Sequence, residues 1–487
     1  MPTTSFDHCD VLIVGGGLSG LTTAHKLAEK DPNLKVVILE KRHKLGGICC
    51  ESELGDLGGK YVKWEHEEVW KLTEKLEVEM RKRDVNYLWR EFPEWQGLTG
   101  KLARFEVLRF VRYLDALCED YGPKRINNRR HKTMEQLLSN KLVFHQSRDF
   151  MRFIVKSIFG LTSNLVRVDE FLSVCYTCLS CSSMIDSLYE ADFVPKHGWS
   201  DIIRRLVANL PESFVIFREK CVTEIIEQDY KHVVVHTHHG DNFKTNLVVI
   251  ACPWQSVKLI KFTPQLWPPI MSRVKHLDAY VTTFTLRYNG AVWRKNGHSG
   301  TLFDYKNYLY CYETEPCVLR GAWYHNSICE TSQHPLVDIT EIIARKFGDD
   351  ILLPVEHDIK VFEHQILINF PKMEANRGTI VWATTNNATK FRGFINGAIH
   401  SGIKAATATL GIIRPNTVDF YDETDDFEER HSRTGLLHKQ LLSLNIASGI
   451  RAVKILTVAS VAYFVFQRYL KDVASELVPK IFAKGSN

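Results

Sequence analysis

The chain carries almost no excess of either charge: 62 Lys and Arg stand against 57 Asp and Glu, a formal +5 over 487 residues. So small a balance excludes the basic stripe with which nucleic-acid binders grip phosphates. The apolar run near the C-terminus, Ile455 to Phe466, holds twelve residues between Lys454 and Arg468, short of the ~20 that cross a bilayer core. No secretory pattern opens the sequence, no internal repeat is evident, and the 12 cysteines are dispersed rather than spaced as a disulfide framework. Reduced thiols facing the cytosol are expected. What is present is ordinary core material: 45% hydrophobic and 24% charged residues exclude wholesale disorder. The length exceeds one ordinary core, so at least two domains or one interleaved pair is expected.

Asp10 to Val14 is a short apolar run that ends in Gly15-Gly16-Gly17 and continues as a helix-like stretch from Leu18 to Lys30. A second apolar run, Lys35 to Leu39, follows Asp31-Pro32-Asn33 and ends at Glu40. Together they predict one βαβ unit. Gly15, Gly17 and Gly20 fit GxGxxG: one for the tight turn, one for backbone approach to a pyrophosphate, one for close helix-to-strand packing. The helix start supplies free N–H groups and a positive dipole end for phosphate. Glu40, at the end of the second strand, can accept hydrogen bonds from both ribose hydroxyls, which favours an adenine ribose without a 2′-phosphate. NAD and FAD share this unit.

Farther along, charged and apolar periodicity predicts helices over Glu67 to Arg81, Phe105 to Tyr121 and Met134 to Leu142. Phe214 to Phe217, His232 to Thr237 and Leu247 to Ala251 predict strands, the last two joined by a turn at His239-Gly240-Asp241. Tyr280 to Tyr288 predicts a strand of a second sheet. Gly378 to Ala383 is a strand that returns to the cofactor half, and Gly393 opens a small-residue helix. Asp419 to Glu429, acidic and polar, reads as a linker.

Leu39-Glu40-Lys41-Arg42 followed by Leu45-Gly46-Gly47, and then Asp56-Leu57-Gly58-Gly59-Lys60-Tyr61-Val62, resembles the flavin-containing amine oxidase family, the monoamine oxidases in particular. Matches continue in the family's order at Phe193 to Gly198, Cys221-Val222-Thr223, Val249 to Pro253, Tyr288 with Ala291 and Trp293, and Ala383 to Gly397. The resemblance implies an α/β, two-domain FAD-binding fold with a Rossmann-like βαβ unit, an interleaved substrate domain and a C-terminal membrane helix. It implies FAD contacts at Gly15, Gly17, Ser19, Gly20, Glu40, Arg42, Gly47, Gly58, Gly59, Val222, Thr385, Gly393, Phe394 and Ile395. A helix starting at Gly393 would aim its dipole at the isoalloxazine N1 and O2. The implied activity is oxidative deamination of an amine to an imine and then an aldehyde, with O₂ reduced to H₂O₂. The implied division gives residues 8–83, 198–275 and 359–415 to the FAD-binding domain and 84–197 and 276–358 to the substrate domain. A linker at 416–440 and an anchor at 441–468 follow.

Several positions depart from the family pattern. His364 to Pro371 lacks the cysteine that attaches flavin, so FAD is expected to be non-covalent. Ile366 and Phe394 stand where two tyrosines sandwich the amine, and Asn289 where a lysine holds a water against the flavin. With Trp293, these three are assigned to the reacting face. Ile48 replaces an arginine that reaches the diphosphate, and Thr384 and Asn386 replace a Gly and a Glu. The replacements leave open a second reading, a catalytically inactive, membrane-anchored flavin-binding or scaffold protein.

Other clusters have plain readings. Cys175, Cys178 and Cys181 repeat every third residue in a helical stretch and are expected to pack in a core along one face, with no further metal ligand nearby. His236, His238 and His239 read as a solvated hairpin end, since alternation splits them between faces. Trp89, Trp95 and Trp199 read as scattered core. If Arg451 and Lys454 snorkel, the C-terminal run extends back to Leu441 and becomes long enough to span, with Tyr463 and Tyr469 at an interface. A surface-lying amphipathic helix is the alternative. The resemblance implies the mitochondrial outer membrane, cytosolic face, with the endoplasmic reticulum as alternative. The implied partners are an amine, O₂ and membrane lipid, with a homodimer as a further option.

Overall fold

The computed structural model describes residues 8–49, 51–56, 58–59, 62–82, 95, 97–119, 132–189, 193–229, 232–266, 279–325, 334–363, 376–419, 435–444 and 446–483. Lys60, Tyr61, Trp89, all of His364 to Pro371 including Ile366, and most of Asp419 to Glu429 lie outside the described residues.

The strand β1 (Cys9–Val14) is buried and apolar along both faces, as suits the interior of a parallel sheet. It leads through the glycine turn into α1 (Leu18–Lys30), which buries Leu21, Ala24 and Leu27 and returns the chain to β2 (Val36–Leu39). Val11 to Val14 pair in parallel with Val36 to Leu39, which completes the expected βαβ unit. A short hairpin follows, β3 (Glu51–Ser52) and β4 (Gly55–Asp56). The helix expected over Glu67 to Arg81 is shorter: α2 (Glu67–Lys75) ends before Glu77, whose φ of 54° breaks the helical path. The chain then extends as β5 (Met80–Lys82), paired with β6 (Phe193–Pro195).

Between these two strands lies a helical layer of α3 (Gly97–Cys118), α4 (Met134–Lys141), α5 (His145–Phe159), α6 (Val168–Thr177) and α7 (Cys181–Tyr189). The helix expected from Phe105 begins earlier, at Gly97. α4 starts with a capping box between Thr133 and Gln136. The cysteine run does not share one helix face, because Leu179 at φ 75° separates α6 from α7. Cys175, Cys178 and Cys181 are nonetheless fully buried in the helical core.

After β6 come α8 (Trp199–Ala208), β7 (Phe214–Phe217), β8 (Val222–Asp229), β9 (His232–Thr237), β10 (Asn242–Ile250) and β11 (Lys261–Thr263). They join the first sheet in the order β11-β8-β9-β10-β1-β2-β7. The second sheet comprises β12 (Tyr280–Arg287), β13 (Leu302–Asp304), β14 (Leu309–Glu315), β15 (Val318–His325) and β16 (Glu356–Glu363), ordered β13-β14-β15-β12-β16. Its strands are antiparallel, and side chains alternate between two apolar clusters. Phe284, Leu286, Leu319 and Trp323 pack with α9 (Pro335–Phe347), while Tyr310, Ala322 and Tyr324 pack with Phe153 of the helical layer.

The chain returns to the first sheet through β17 (Asn376–Arg377) and β18 (Ile380–Trp382), the latter parallel to β10. It then enters α10 (Ile395–Ile413), which crosses α1. Gly402 makes that crossing possible: a Cβ there would lie 2.5 Å from the Ser19 carbonyl oxygen and 2.9 Å from Thr22 Cβ. Two C-terminal helices follow, α11 (Leu436–Ser443) and α12 (Ile446–Ala483). Among the described residues, one single helix is long and apolar enough to span, over Ala452–Lys471, and it is wholly unburied. It starts later than the expected Leu441, because the chain leaves α11 at Leu444 and α11 packs on α3 instead.

Gly402→Val should force α1 and α10 apart and destabilise the fold by about 1–3 kcal/mol, the usual cost of overpacking. Equilibrium denaturation checks this, and an unchanged midpoint would contradict the close crossing.

Candidate cofactor and active site

The turn after β1 opens at the carboxyl edge of the parallel strands β2, β1 and β10, the position at which open α/β sheets receive ligands. Gly15 has φ 115°, and a Cβ there would sit 2.8 Å from the Ala251 carbonyl oxygen. A Cβ on Gly20 would come within 2.1 Å of the Gly15 carbonyl oxygen, so α1 closes on the turn only because none is present. The N-cap of α1 is Gly17, which offers no side-chain cap to the amides at the helix mouth.

The double-glycine loop closes over this mouth. Gly46 N–H donates to the Gly16 carbonyl at 2.8 Å. Gly17 faces Gly47, and a Cβ built on Gly17 would meet only the Gly47 Cα, at 3.8 Å. Glu40 is 7% exposed; its Oε2 accepts the Gly16 N–H at 2.8 Å and its Oε1 the Arg42 N–H at 2.9 Å. Two backbone donors thus fix the carboxylate, and each oxygen keeps capacity for another donor. The Arg42 guanidinium leans over the loop, with Nη1 donating to the Gly47 carbonyl at 3.4 Å. Ile48 instead packs on Gly58, whose missing Cβ would lie 2.5 Å from Ile48 Cγ2. Val222 is buried at the start of β8.

A second open mouth stands beside the first. Gly393, at φ 85°, turns the chain into α10, and its N–H donates to Thr385 Oγ1 at 2.9 Å. The N-cap, Phe394, supplies no side-chain cap. Ser401 Oγ meets Ser19 Oγ at 3.5 Å where the two helices cross, so the start of α1 lies against α10 about two turns, roughly 10 Å, in from its mouth. A Cβ on Gly59 would lie 3.2 Å from Ile395 Cδ1 and 3.1 Å from Trp199 Cδ1, so the Gly58-Gly59 segment, α10 and α8 converge there. Asp56 anchors this junction by accepting the Trp199 N–H at the start of α8.

FAD fits these features. The bare N-cap, the fixed acid and the glycine turn, packed on the double-glycine loop backbone to backbone, suit its ADP half. At the other mouth the buried Thr384 hydroxyl has no hydrogen-bond partner, which leaves a polar contact for the ring half.

The residues assigned to the reacting face are not all brought together. Phe394 joins the helical core cluster, its ring centroid 6.1 Å from His66 and 6.3 Å from Phe391. Asn289 is exposed just beyond β12. Trp293 is fully buried on the opposite face of the second sheet, edge-on to Tyr288 at 5.8 Å, with Nε1 donating to Glu313 Oε2 at 3.3 Å. Sequence reasoning missed His66, Thr283 and Arg320. His66 packs edge-on to Phe391 at 4.4 Å, and its Nδ1 accepts the Lys63 N–H at 3.5 Å while Nε2 has no partner. A single histidine ahead of a helix carries no periodic signal. Thr283 lies on the helical side of β12, which strand alternation over Tyr280 to Tyr288 could have identified. Arg320 reaches from β15 to the Leu54 carbonyl and ties the second sheet to the β3–β4 hairpin.

A Rossmann-like sheet joined to an antiparallel sheet beneath a helical layer defines a two-domain dinucleotide-binding flavoprotein fold. Solved amine oxidases share it: wild-type putrescine oxidase bound to putrescine superposes with TM-score 0.69 at 18% identity, over 85% of this chain and 100% of that one. Cyclohexylamine oxidase from Brevibacterium oxydans gives 0.68 at 18% identity, over 83% and 99%. In sequence, flavin-containing amine oxidase B of Cavia porcellus is 26% identical over 88% of this chain and 94% of its own length. The Homo sapiens amine oxidase B is 25% identical over the same shares, 88% and 94%. Residues 18–324 match the profile of the flavin containing amine oxidoreductases. The chain belongs to that family, an oxidoreductase family whose cofactor is a flavin, FAD.

Burial, reinforced by the nearby Lys63 charge, pushes the His66 imidazole down from 6.5 to about 3. The folded chain therefore refuses a proton that the unfolded chain accepts below its ordinary value. The resulting stability is fully present above pH 6.5 and is lost as pH falls toward 3. Between about pH 7.5 and pH 5 the loss should reach about 2 kcal/mol. His66→Gln should flatten that part of the melting profile, and a variant with an unchanged slope would show that His66 is not held neutral.

Proposed function

We propose that the chain is an FAD-dependent amine oxidase that converts an amine to an imine, hydrolysed in turn to an aldehyde, with O₂ reduced to H₂O₂. The observation that carries this reading is a pair of uncapped helix mouths on two helices that cross at Ser19 and Gly402, about two turns in from the mouth of α10. FAD, when bound, supplies the two-electron oxidation of the amine and the reduction of O₂.

The chain's own residues bind and orient. Gly15, Gly17, Ser19, Gly20, Glu40, Arg42, Gly47, Gly58, Gly59 and Val222 would hold the ADP half, and Thr385, Gly393, Phe394 and Ile395 the ring half. With Ile48 packed on Gly58 and no cysteine in residues 364–371, retention would rest on Glu40 and backbone amides, so the cofactor is non-covalent. Phe394 would offer one aromatic face to the polarised nitrogen, Ile366 an apolar wall, and Asn289 a neutral hydrogen-bonding group. Trp293 would act from behind the sheet as a brace. The proposed division keeps residues 8–83, 198–275 and 359–415 with the cofactor and 84–197 and 276–358 with the substrate. The exposed apolar segment Ala452–Lys471 supports a tail anchor, which we assign to the mitochondrial outer membrane with the body facing the cytosol.

A second reading has its own support: Asn289, Ile366 and Phe394 carry no titratable group, and Trp293 lies behind the sheet. In that reading the anchored chain binds flavin without turnover.

The full chain, purified in detergent, should be yellow, release its flavin on denaturation, and produce peroxide with at least one member of an amine panel. Glu40→Ala should lower flavin occupancy about tenfold, the loss of one or two charge-assisted hydrogen bonds. Yellow protein without peroxide selects the second reading. Flavin that stays with the denatured chain overturns the non-covalent assignment, and a colourless chain that FAD cannot reconstitute overturns both readings.

A further inference from the structure

We infer that His66 and Asn396 are positioning residues that present two neutral hydrogen-bond donors at the mouth of α10, where they take a carbonyl of the flavin ring and raise its electron affinity. The inference rests on the FAD reading above.

His66 is the N-cap residue of α2 and is 1% exposed. Its carbonyl accepts the Val69 N–H at 3.0 Å, so its backbone is committed to the helix. The rings of Phe391 and Phe394, with centroids 4.4 and 6.1 Å away, leave the imidazole little room to turn. Nδ1 accepts the Lys63 N–H, and a neutral imidazole that accepts through one nitrogen carries its proton on the other. Burial keeps the ring neutral. Nε2 is therefore a donor, and no group among the described residues accepts from it.

Asn396 stands in the first turn of α10 and is also 1% exposed. Its Oδ1 accepts the Glu68 N–H at 2.9 Å and the Val69 N–H at 3.2 Å. Two donors on one oxygen fix the orientation of the amide, because a flip would set its NH₂ against the same two N–H groups. Nδ2 then carries two further donors, again without an acceptor among the described residues. Buried donors are rarely left unmatched. Here two stand at one junction, since Asn396 caps the turn of α2 that His66 opens.

The surrounding charges are already compensated. Lys63 pairs with Asp186 at 3.4 Å, Lys390 with Glu67 at 3.6 Å and Lys71 with Glu68 at 3.7 Å. Neutral donors among paired charges suit a carbonyl oxygen better than a free anion, which would bring an uncompensated charge into a buried site. A Cβ on Gly59 would lie 3.2 Å from Ile395 Cδ1, which puts the Gly58-Gly59 segment, an expected flavin contact, one residue along α10 from Asn396. Hydrogen bonds to a ring carbonyl draw electron density out of the ring, and they act in the same sense as the positive dipole end of α10.

The test reconstitutes the full chain with FAD labelled with carbon-13 at its ring carbonyls and reads their stretch by isotope-edited infrared spectroscopy. On the wild-type chain a labelled carbonyl should absorb below its frequency in an aprotic solvent, a measurement that needs no variant. His66→Leu should move that stretch up and lower the two-electron midpoint potential of the flavin by about 30 mV, a tenfold change in the equilibrium constant. His66→Gln, which restores a donor, should keep most of both. Asn396→Asp keeps the acceptor that caps α2 but turns an oxygen toward the carbonyl, and it should weaken FAD binding about tenfold. Circular dichroism confirms that the variants fold. A wild-type carbonyl at the aprotic frequency would overturn the inference. So would a stretch and potential unmoved by His66→Leu together with FAD binding unmoved by Asn396→Asp, the result expected if the donors hold only a buried water. Both results leave the yellow, FAD-binding chain standing, whereas a chain that stays colourless with FAD removes the cofactor reading and this inference with it.

Discussion

Two helices that cross at a glycine, α10 lying close on the backbone of α1, set the geometry of the cofactor half. α1 belongs to the first βαβ unit and α10 arrives hundreds of residues later, yet Gly402 lets the second lie against the Ser19 carbonyl and Thr22. That contact fixes the mouth of α1 about two turns, roughly 10 Å, along α10 from its own uncapped mouth. Each mouth is a cluster of amides with a positive dipole end, and a single elongated ligand with a diphosphate near one end and an electron-accepting ring at the other satisfies both. Glu40 adds direction, because its carboxylate is already fixed by the Gly16 and Arg42 amides before a ligand arrives.

The second sheet is built by a different rule. It is a wall between two apolar clusters, and strand alternation decides which residues face the helical layer. Tyr310, Tyr324 and Ala322 turn toward the helical layer, where Phe394 also packs. Trp293 and Tyr288 turn the other way and brace α9. Arg320 joins this wall to the β3–β4 hairpin, so the sheet that would shape a substrate pocket is tied to the loop that leads to Gly58 and Gly59. His66 sits under the Phe391 and Phe394 rings with an unpaired Nε2. Held neutral by burial, it can support those rings without bringing a charge beside them.

The cofactor half was largely legible in the sequence because its constraints are local. A glycine that must lack a Cβ, an acid that must end a strand and an apolar run of strand length all leave marks within forty residues. The strands at Phe214 to Phe217 and His232 to Thr237 were equally readable, from β-branched and aromatic runs between turns. What escaped depends on tertiary contact. The break at Leu179, which divides the cysteine run between α6 and α7, rests on a backbone conformation that composition does not encode. The short end of α2 at Lys75 follows from Glu77 adopting a positive φ before β5 pairs with β6. Trp293 was placed by its neighbours in a motif, but the face it occupies is set by the register of β12 against β15 and β16. The apolar C-terminal run was legible in composition, but the helical segment long enough to span begins at Ala452, since the leucines of α11 that lengthen the run belong to a helix held against α3 by Arg109.

The central claim is that one FAD bridges the two helix mouths, and a structure of the FAD-reconstituted full chain by electron cryomicroscopy tests it most directly. The account expects the diphosphate against the amides that follow Gly17, the ribose at Glu40 and the ring at the start of α10. A ligand bound elsewhere, or side chains filling the mouth of α1 in the reconstituted chain, would contradict it.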